Sequence, residues 1–326
     1  MKLATLRNGA RDGQLVVVAR DLTRAANVAP IARTLQEALE HWEAVAPALA
    51  RVSDALNAGK VADSFSFEQT QAAAPLPRAY QWCDGSAFLH HGRLMEQAYK
   101  SPPMADYETV PLMYQGASDD FLGPREDAPL PSEEHGIDFE GEFAVVVGDV
   151  PMGCPAEQAA PHVKLLLSVN DWSLRAFGPR EMQRGFGFVQ TKPATSFGPA
   201  AVTPDEIGPA WRDGRVHLPL HIHWNGAWFG HPNGGAMDFS FYQLIAHAAA
   251  TRRLRAGAII GSGTISNADR SVGSACISER RVLEILARGA AQTEFMKFGD
   301  TARLEAFDTE GRSVFGAIEQ RVVKNV

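Results

Sequence analysis

The stretch Asp138-Phe139-Glu140-Gly141-Glu142-Phe143-Ala144-Val145-Val146-Val147-Gly148 opens on acids and closes on a Val-rich apolar run. A short apolar run rich in β-branched residues and ended by Gly reads as a buried strand. Side chains alternate along a strand, so Glu140 and Glu142 leave the same face. Gly141 between them leaves room on the opposite face. Two neighbouring carboxylates repel unless one is protonated or both are neutralised, and an oxygen-bound divalent cation is the usual neutraliser. A solvated acidic strand edge is the competing reading of any isolated Glu-x-Glu pair. The direct passage into the apolar residues 143–147 argues against exposure.

A second apolar run, residues 165–169, leads into Asn170-Asp171-Trp172-Ser173. An Asp at the end of a buried strand is a frequent metal or catalytic carboxylate. It is equally a candidate N-cap for a helix over residues 172–177. On such a helix Arg175 shares a face with Asp171. It then either pairs with Asp171 or presents a cation to a substrate carboxylate or oxyanion.

Working outward, residues 2–7 and 15–19 read as short strands around the turn signals Asn8-Gly9 and Asp12-Gly13. An apolar stripe then runs from Val28 through Leu35, Leu39, Trp42, Leu49 and Leu56 at helical spacing. Pro47 is expected to divide it into two helices. Ala/Pro-rich sequence from Ala72 to Pro77 marks a linker. Beyond it strand signals dominate: residues 218–224 before the hairpin turn Asn225-Gly226, then 258–260, 275–277, 302–306 and 313–320. Residues 241–254 give the clearest helix. No tandem repeat or low-complexity tract interrupts the chain.

The 326 residues suffice for one large domain or two smaller ones with a substantial core. Hydrophobic residues at 45% and charged residues at 21% are an ordinary globular balance. A formal net charge of −7 disfavours nucleic acid and anionic membranes, which both need a basic face. A small anionic substrate stays open, since a local cluster of cations can override the overall field. Cys83, Cys154 and Cys276, without C-x-x-C spacing, make neither a disulfide framework nor a zinc–thiolate site. They suit a reducing cytoplasm. No stretch reaches the roughly 18 apolar residues of a membrane span. Residues 1–9 lack the apolar core of a signal peptide. The expected location is cytoplasmic.

Taken together, four segments resemble the fumarylacetoacetate hydrolase family. They are D-F-E-G-E-F-A-V-V-V-G from Asp138, S-V-N-D-W-S-L-R from Ser168, Q-T-K-P from Gln190 and G-S-G-T-I-S from Gly261. Their order and spacing also match, and the resemblance runs from Leu76 to the C-terminus. The preceding residues are similar to the small lead domain of longer, bacterial-type members. The resemblance implies a mostly β fold with some α: a mixed β-sandwich or roll catalytic domain at 75–326, preceded by a small α+β domain at 1–74.

It also implies a Mg²⁺ or Ca²⁺ site on Glu140, Glu142 and Asp171. Asp84 falls at the place of a fourth ligand, seven residues before His91. His91, rather than the adjacent His90, then corresponds to the general base. Glu279 is the candidate to orient it, on a later strand; an ungapped reading from Gly273 places Ile277 there instead. Arg175 and Lys192 match the catalytic cations. Tyr114 and Thr264 match substrate contacts. Gly178 stands where some members have a Gln beside the oxyanion, a departure that bears on the substrate more than on the chemistry. The implied reaction is hydrolysis of a C–C bond in a β-diketo acid, fumarylacetoacetate or an acylpyruvate. Hydration, isomerisation or decarboxylation of a 2-oxo acid at the same site is the alternative. A small anionic 2-oxo or diketo acid substrate and a homodimer are expected on the same grounds.

An all-oxygen ligand set suits Mg²⁺ or Ca²⁺ over Zn²⁺. His217, His221 and His223 would share one strand face, yet without an acidic or Cys partner they read as solvated histidines. Gly261-Ser262-Gly263 lacks the G-K-[ST] ending of a phosphate loop. Ser262 lacks the G-x-S-x-G setting of an acyl nucleophile. Arg252-Arg253-Leu254-Arg255 reads as a solvated helix end.

Overall fold

Every residue of the Val-rich strand Gly141–Val147 is buried. A strand buried on both faces needs a neighbour on each edge and a layer against each face. The computed structural model of the chain, which describes residues 1–100 and 105–325, shows how both needs are met.

The chain begins with a meander of β1 (Lys2–Leu6), β2 (Gln14–Val18), β3 (Arg24–Asn27) and β4 (Phe65–Ser66), with α1 (Leu35–Glu40) and α2 (Trp42–Asn57) inserted before β4. Next come β5 (Trp82–Gly85), α3 (Leu89–Tyr99), β6 (Met113–Gly116), β7 (Ala128–Leu130) and β8 (Ile137–Asp138). The Val-rich strand is β9. It is followed by β10 (Val163–Asp171), β11 (Ser173–Leu174), α4 (Gly178–Arg184), β12 (Thr195–Phe197) and β13 (Ala201–Val202). The ribbon β14 (Trp211–Arg212) and β15 (Arg215–Val216) precedes the hairpin β16 (Leu220–Trp224) and β17 (Ala227–Gly230). The chain closes with α5 (Phe241–Ala249), β18 (Ile259–Gly261), α6 (Ile277–Arg288), β19 (Thr301–Ala306) and β20 (Ile318–Lys324).

The larger sheet has the order β4-β3-β2-β1-β13-β10-β9-β18-β5-β6, with β12 also on β10. β9 is antiparallel to both neighbours, and β18 is parallel to β5. The first segment extends this same sheet through β1 and β13. The second sheet is β17-β16-β19-β20-β7. Ala144 and Val146 of β9 pack with Leu35, Leu39 and Leu49 from α1 and α2. Phe143, Val145 and Val147 pack with Leu220, Ile222 and Leu304 of the second sheet. The expected β framework with subordinate helices is therefore what forms, and β9 lies in the middle layer. Gly141 is small because the second sheet comes close: a Cβ there would lie 2.9 Å from both Ile222 Cδ1 and Leu220 Cδ2.

Several local expectations need correction. Residues 28–33 are irregular, and the helical break falls at His41 rather than at Pro47, which lies inside α2. Thr34 caps α1 through Glu37 N–H, while Leu49 and Leu56 anchor α2 on the sheet. Pro47 and Glu43 are both exposed. Water can therefore serve the Glu43 carbonyl that the missing N–H leaves without an intrahelical bond. Residues 172–177 form no helix: Asp171 ends β10, and β11 follows directly. Residues 275–277 form no strand either. Cys276 makes a single bridge to Glu140, and α6 starts at Ile277. The helix expected over 241–254 stops at Ala249, so the Arg252–Arg255 basic run lies beyond its end. The last strand starts at Ile318 instead of Ser313. No helix among the described residues is long and apolar enough to cross a membrane.

Gly141→Val places two methyl groups against the second sheet. It is expected to cost about 1–3 kcal/mol through overpacking. A thermal melt should read this as a fall of several degrees in Tm.

Candidate active site

The acidic ends of three neighbouring strands meet. Asp84 lies on β5, Glu142 at the start of β9 and Asp171 at the end of β10, and all three are buried. β10 pairs with β9 on one side, and β18 links β9 to β5 on the other. One carboxylate oxygen from each of the three lies within 4.8 Å of the others. Asp84 Oδ1 accepts Gly263 N–H at 3.0 Å. Gly263 has φ of +73°, a left-handed conformation that favours glycine. Asp171 accepts the Thr195 hydroxyl at 2.7 Å and the Tyr114 hydroxyl at 2.5 Å.

Glu142 differs from both. It is fully buried, and neither carboxylate oxygen has a hydrogen-bond partner. Burial, then the charges of Asp84, Asp171 and Glu140, push its carboxyl well above the usual range. Burial and the charge of Asp171 likewise raise Asp84. An unpartnered buried carboxylate is costly. Two such oxygens, aimed beside two further carboxylates, fit a hard divalent cation bound through oxygen. Asp84, Glu142 and Asp171 could hold it.

Glu140, the remaining expected ligand, is held by cations of the chain. Arg175 Nη2 lies 2.6 Å from Glu140 Oε1, and Lys192 Nζ makes a very short contact with Oε2. Lys192 Nζ also lies 2.7 Å from Asp171 Oδ2. Burial would raise the Glu140 carboxyl, but Lys192 and Arg175 outweigh it and hold it down at about 2. Burial also opposes the Lys192 ammonium; Asp171 and Glu140 overcome that and keep it charged, above its ordinary value. Arg175 thus reaches Glu140 and Asp138, not Asp171.

The first turn of α3 brings His91 beside this cluster. His91 Nδ1 lies 2.7 Å from Glu279 Oε2, and Glu279 is almost wholly buried. Glu279 sits in the first turn of α6, not on a strand. Ile277, the other candidate for this role, is an apolar core residue. Tyr114 stands over Lys192, with Nζ 5.7 Å from the ring centroid, and Phe188 packs edge-on against Tyr114. Thr264 is buried in the loop after β18. His221 stacks on His231 and meets Phe307 edge-on.

Sequence reasoning missed three supporting residues. Asp138 shares the alternation of Glu140 and Glu142, a Asp-x-Glu-x-Glu pattern that could have drawn attention to it. Asn170 Oδ1 accepts Glu140 N–H at 3.0 Å. Glu181 accepts from Val189 N, Gln190 N, Thr191 N and the Thr191 hydroxyl, and so fixes the chain leading to Lys192. Nothing in a mid-helix Glu signals that role.

Comparison with known proteins points to one family. Residues 81–323 match the model of the fumarylacetoacetate (FAA) hydrolase C-terminal domain, and residues 1–78 match fumarylacetoacetase N-terminal domain 2. The 2,4-didehydro-3-deoxy-L-rhamnonate hydrolase of Sphingomonas sp. (strain SKA58) is 30% identical over 48% of this chain and 53% of its own length. The mitochondrial oxaloacetate tautomerase fahd2 of Xenopus laevis is 27% identical over 56% of this chain and 53% of its own. The chain thus spans about half the length of these relatives. The structure of maleylpyruvate hydrolase from Sphingobium sp. SYK-6, in complex with manganese(II) and pyruvate, superposes with a TM-score of 0.66. It is 16% identical and covers 100% of both chains, so the likeness is one of fold.

Addition of Mg²⁺ or Mn²⁺ at about a hundred times its Kd should stabilise the protein by about 2.7 kcal/mol. Glu142→Gln should remove this increment while leaving the metal-free Tm unchanged or higher, because it replaces a carboxyl crowded by like charges. Differential scanning calorimetry with and without chelator checks both.

Proposed function

The chain belongs to the fumarylacetoacetate hydrolase family, and on that premise we propose that it is a divalent-metal-dependent hydrolase. The proposed reaction is cleavage of a C–C bond in a β-diketo acid, an acylpyruvate or fumarylacetoacetate. The single observation carrying this reading is the 2.7 Å contact between His91 Nδ1 and Glu279. A hydrolase needs a base for water, and a carboxylate on Nδ1 leaves Nε2 as the acceptor.

Glu279 holds the imidazole in one tautomer and offsets the imidazolium that forms. His91 Nε2 takes the proton from the attacking water, then returns it to the departing carbon. A cation on Asp84, Glu142 and Asp171, Mg²⁺ or Ca²⁺ in this proposal, would polarise the substrate's chelating oxygens and hold their developing charge. Lys192, kept charged by its two carboxylates, faces the same space and supplies a fixed donor to an oxyanion. Arg175 backs Glu140, and Tyr114 and Thr264 wall the substrate. The bound manganese and pyruvate of the maleylpyruvate hydrolase support a 2-oxo acid at such a site. A homodimer belongs to the same proposal.

The likeness to an oxaloacetate tautomerase supports a second reading, in which the same site isomerises, hydrates or decarboxylates a 2-oxo acid. Those reactions need no hydrolytic water poised by a dyad.

Product analysis with acylpyruvates, fumarylacetoacetate, oxaloacetate and 2-oxopentenoate in the presence of Mg²⁺ separates the two. Cleavage of a diketo acid, with kcat lowered about 10²–10⁴-fold in His91→Ala, is the expected result. Hydration or tautomerisation without any cleavage would sink the hydrolase reading.

A further inference from the structure

Asp138 is fully buried, yet it lies outside the carboxylate cluster and touches no group that the proposed reaction uses directly. Its Oδ1 accepts Ile277 N–H at 2.7 Å and its Oδ2 accepts Ser278 N–H at 2.9 Å. These are the first two residues of α6. Cys276 Sγ accepts the next N–H, from Glu279, at 3.3 Å. The opening turn of the helix is therefore capped from two directions, and Asp138 supplies the charged cap from another part of the chain. A carboxylate at a helix N-terminus is held by the unsatisfied N–H groups and by the local positive end of the dipole.

The same Asp138 Oδ2 accepts Arg175 Nε at 2.8 Å. Arg175 in turn reaches Glu140. One carboxylate thus joins the helix that carries Glu279 to the cation that holds Glu140. Register on this path is fixed by backbone as well: β8 pairs with β11 through Ser173 and Asp138, and Gly141 N–H donates to Ala275 O.

We propose that Asp138 is the positioning residue of the His91–Glu279 dyad, setting the depth of the first turn of α6 so that Glu279 reaches His91 Nδ1. The proposal rests on the reading of His91 as the general base. Asp138 acts here through backbone N–H groups. Neutralising Arg175 alone would require only a nearby charge, with no contact to Ile277 or Ser278. A shift of the turn by about 1 Å would break the dyad, a misplacement that can cost about a hundredfold in rate.

The test uses the full chain loaded with diamagnetic Mg²⁺. Proton NMR should show a low-field imidazole Nδ1–H resonance, assigned by its loss in His91→Ala and Glu279→Gln. In Asp138→Ala the resonance should disappear or move upfield, and kcat should fall about a hundredfold with KM little changed. Asp138→Asn keeps an acceptor for one helix N–H and should fall between. Both should retain the Mg²⁺-induced rise in Tm, since Asp84, Glu142 and Asp171 are untouched. If Asp138→Ala does not fold, Asp138→Asn decides alone. Variants that keep the resonance in place overturn the assignment, as does loss of the Mg²⁺ increment together with the resonance. The resonance reports dyad geometry without any turnover. A failed base reading, seen as full activity in His91→Ala, is thus distinct from a failed role for Asp138.

Discussion

Repulsion among buried carboxylates is the constraint on which the rest of this structure depends. Asp84, Asp138, Glu140, Glu142 and Asp171 are all buried. Two like charges about 4 Å apart repel by roughly 4 kcal/mol at an effective dielectric of 20. Few such pairs are tolerable in a protein whose net stability is about 5–15 kcal/mol. The chain answers with unequal treatment. Glu140 receives Lys192 and Arg175, Asp171 receives Lys192, Tyr114 and Thr195, and Asp138 receives a helix N-terminus and Arg175. Glu142 receives no hydrogen bond.

The surrounding architecture exists to keep that cluster dry and rigid. Helices α1 and α2 cover one face of the sheet that the meander β1–β4 extends, and the second sheet covers the other. Strand pairing fixes the spacing of the acids more firmly than loops could. Val169 opposes Glu142, and Asp171 N–H donates to Glu140 O. The proposed base arrives on a different kind of element. His91 and Glu279 come from two helices packed on each other, so their geometry depends on how those helices are capped. Asp238 accepts Leu89 N–H at the head of α3, as Asp138 does for α6.

Much of this was legible in the sequence because the relevant signals are local. The alternation in Glu140-Gly141-Glu142 and the apolar run behind it define a strand and its acidic face. The spacing from Asp84 to His91 spans one strand end and the first turn of a helix, a geometry that seven residues can hold. What was not legible depends on distant partners. The first two N–H groups of α6 are capped by Asp138, more than a hundred residues away, so residues 275–277 looked like a strand. The ties of Arg175 to Asp138 and Glu140 follow from β8 and β11 pairing, whereas local spacing suggested Asp171. Pro47 looked like a helix breaker because exposure of the Glu43 carbonyl cannot be read from a periodic pattern.

Glu140 and Glu142 lie two residues apart on one face, yet their carboxyls are driven in opposite directions. Lys192 and Arg175 pin Glu140 as an anion, while Asp84 and Asp171 press Glu142 towards its neutral form. A symmetrical pair would share any arriving cation equally. This pair instead contains one carboxylate already satisfied and one that gains most from a cation, because only it is both crowded and unpartnered. The lysine that satisfies Glu140 also reaches Asp171, and so lies at the border between the pinned carboxylate and the acids that could hold a cation. A substrate oxygen drawn towards a cation at the Glu142 end would therefore meet the ammonium of Lys192 from the side. The division of charge among neighbouring acids thus ties Glu140 to cations of the chain and leaves Glu142 free to meet an arriving one.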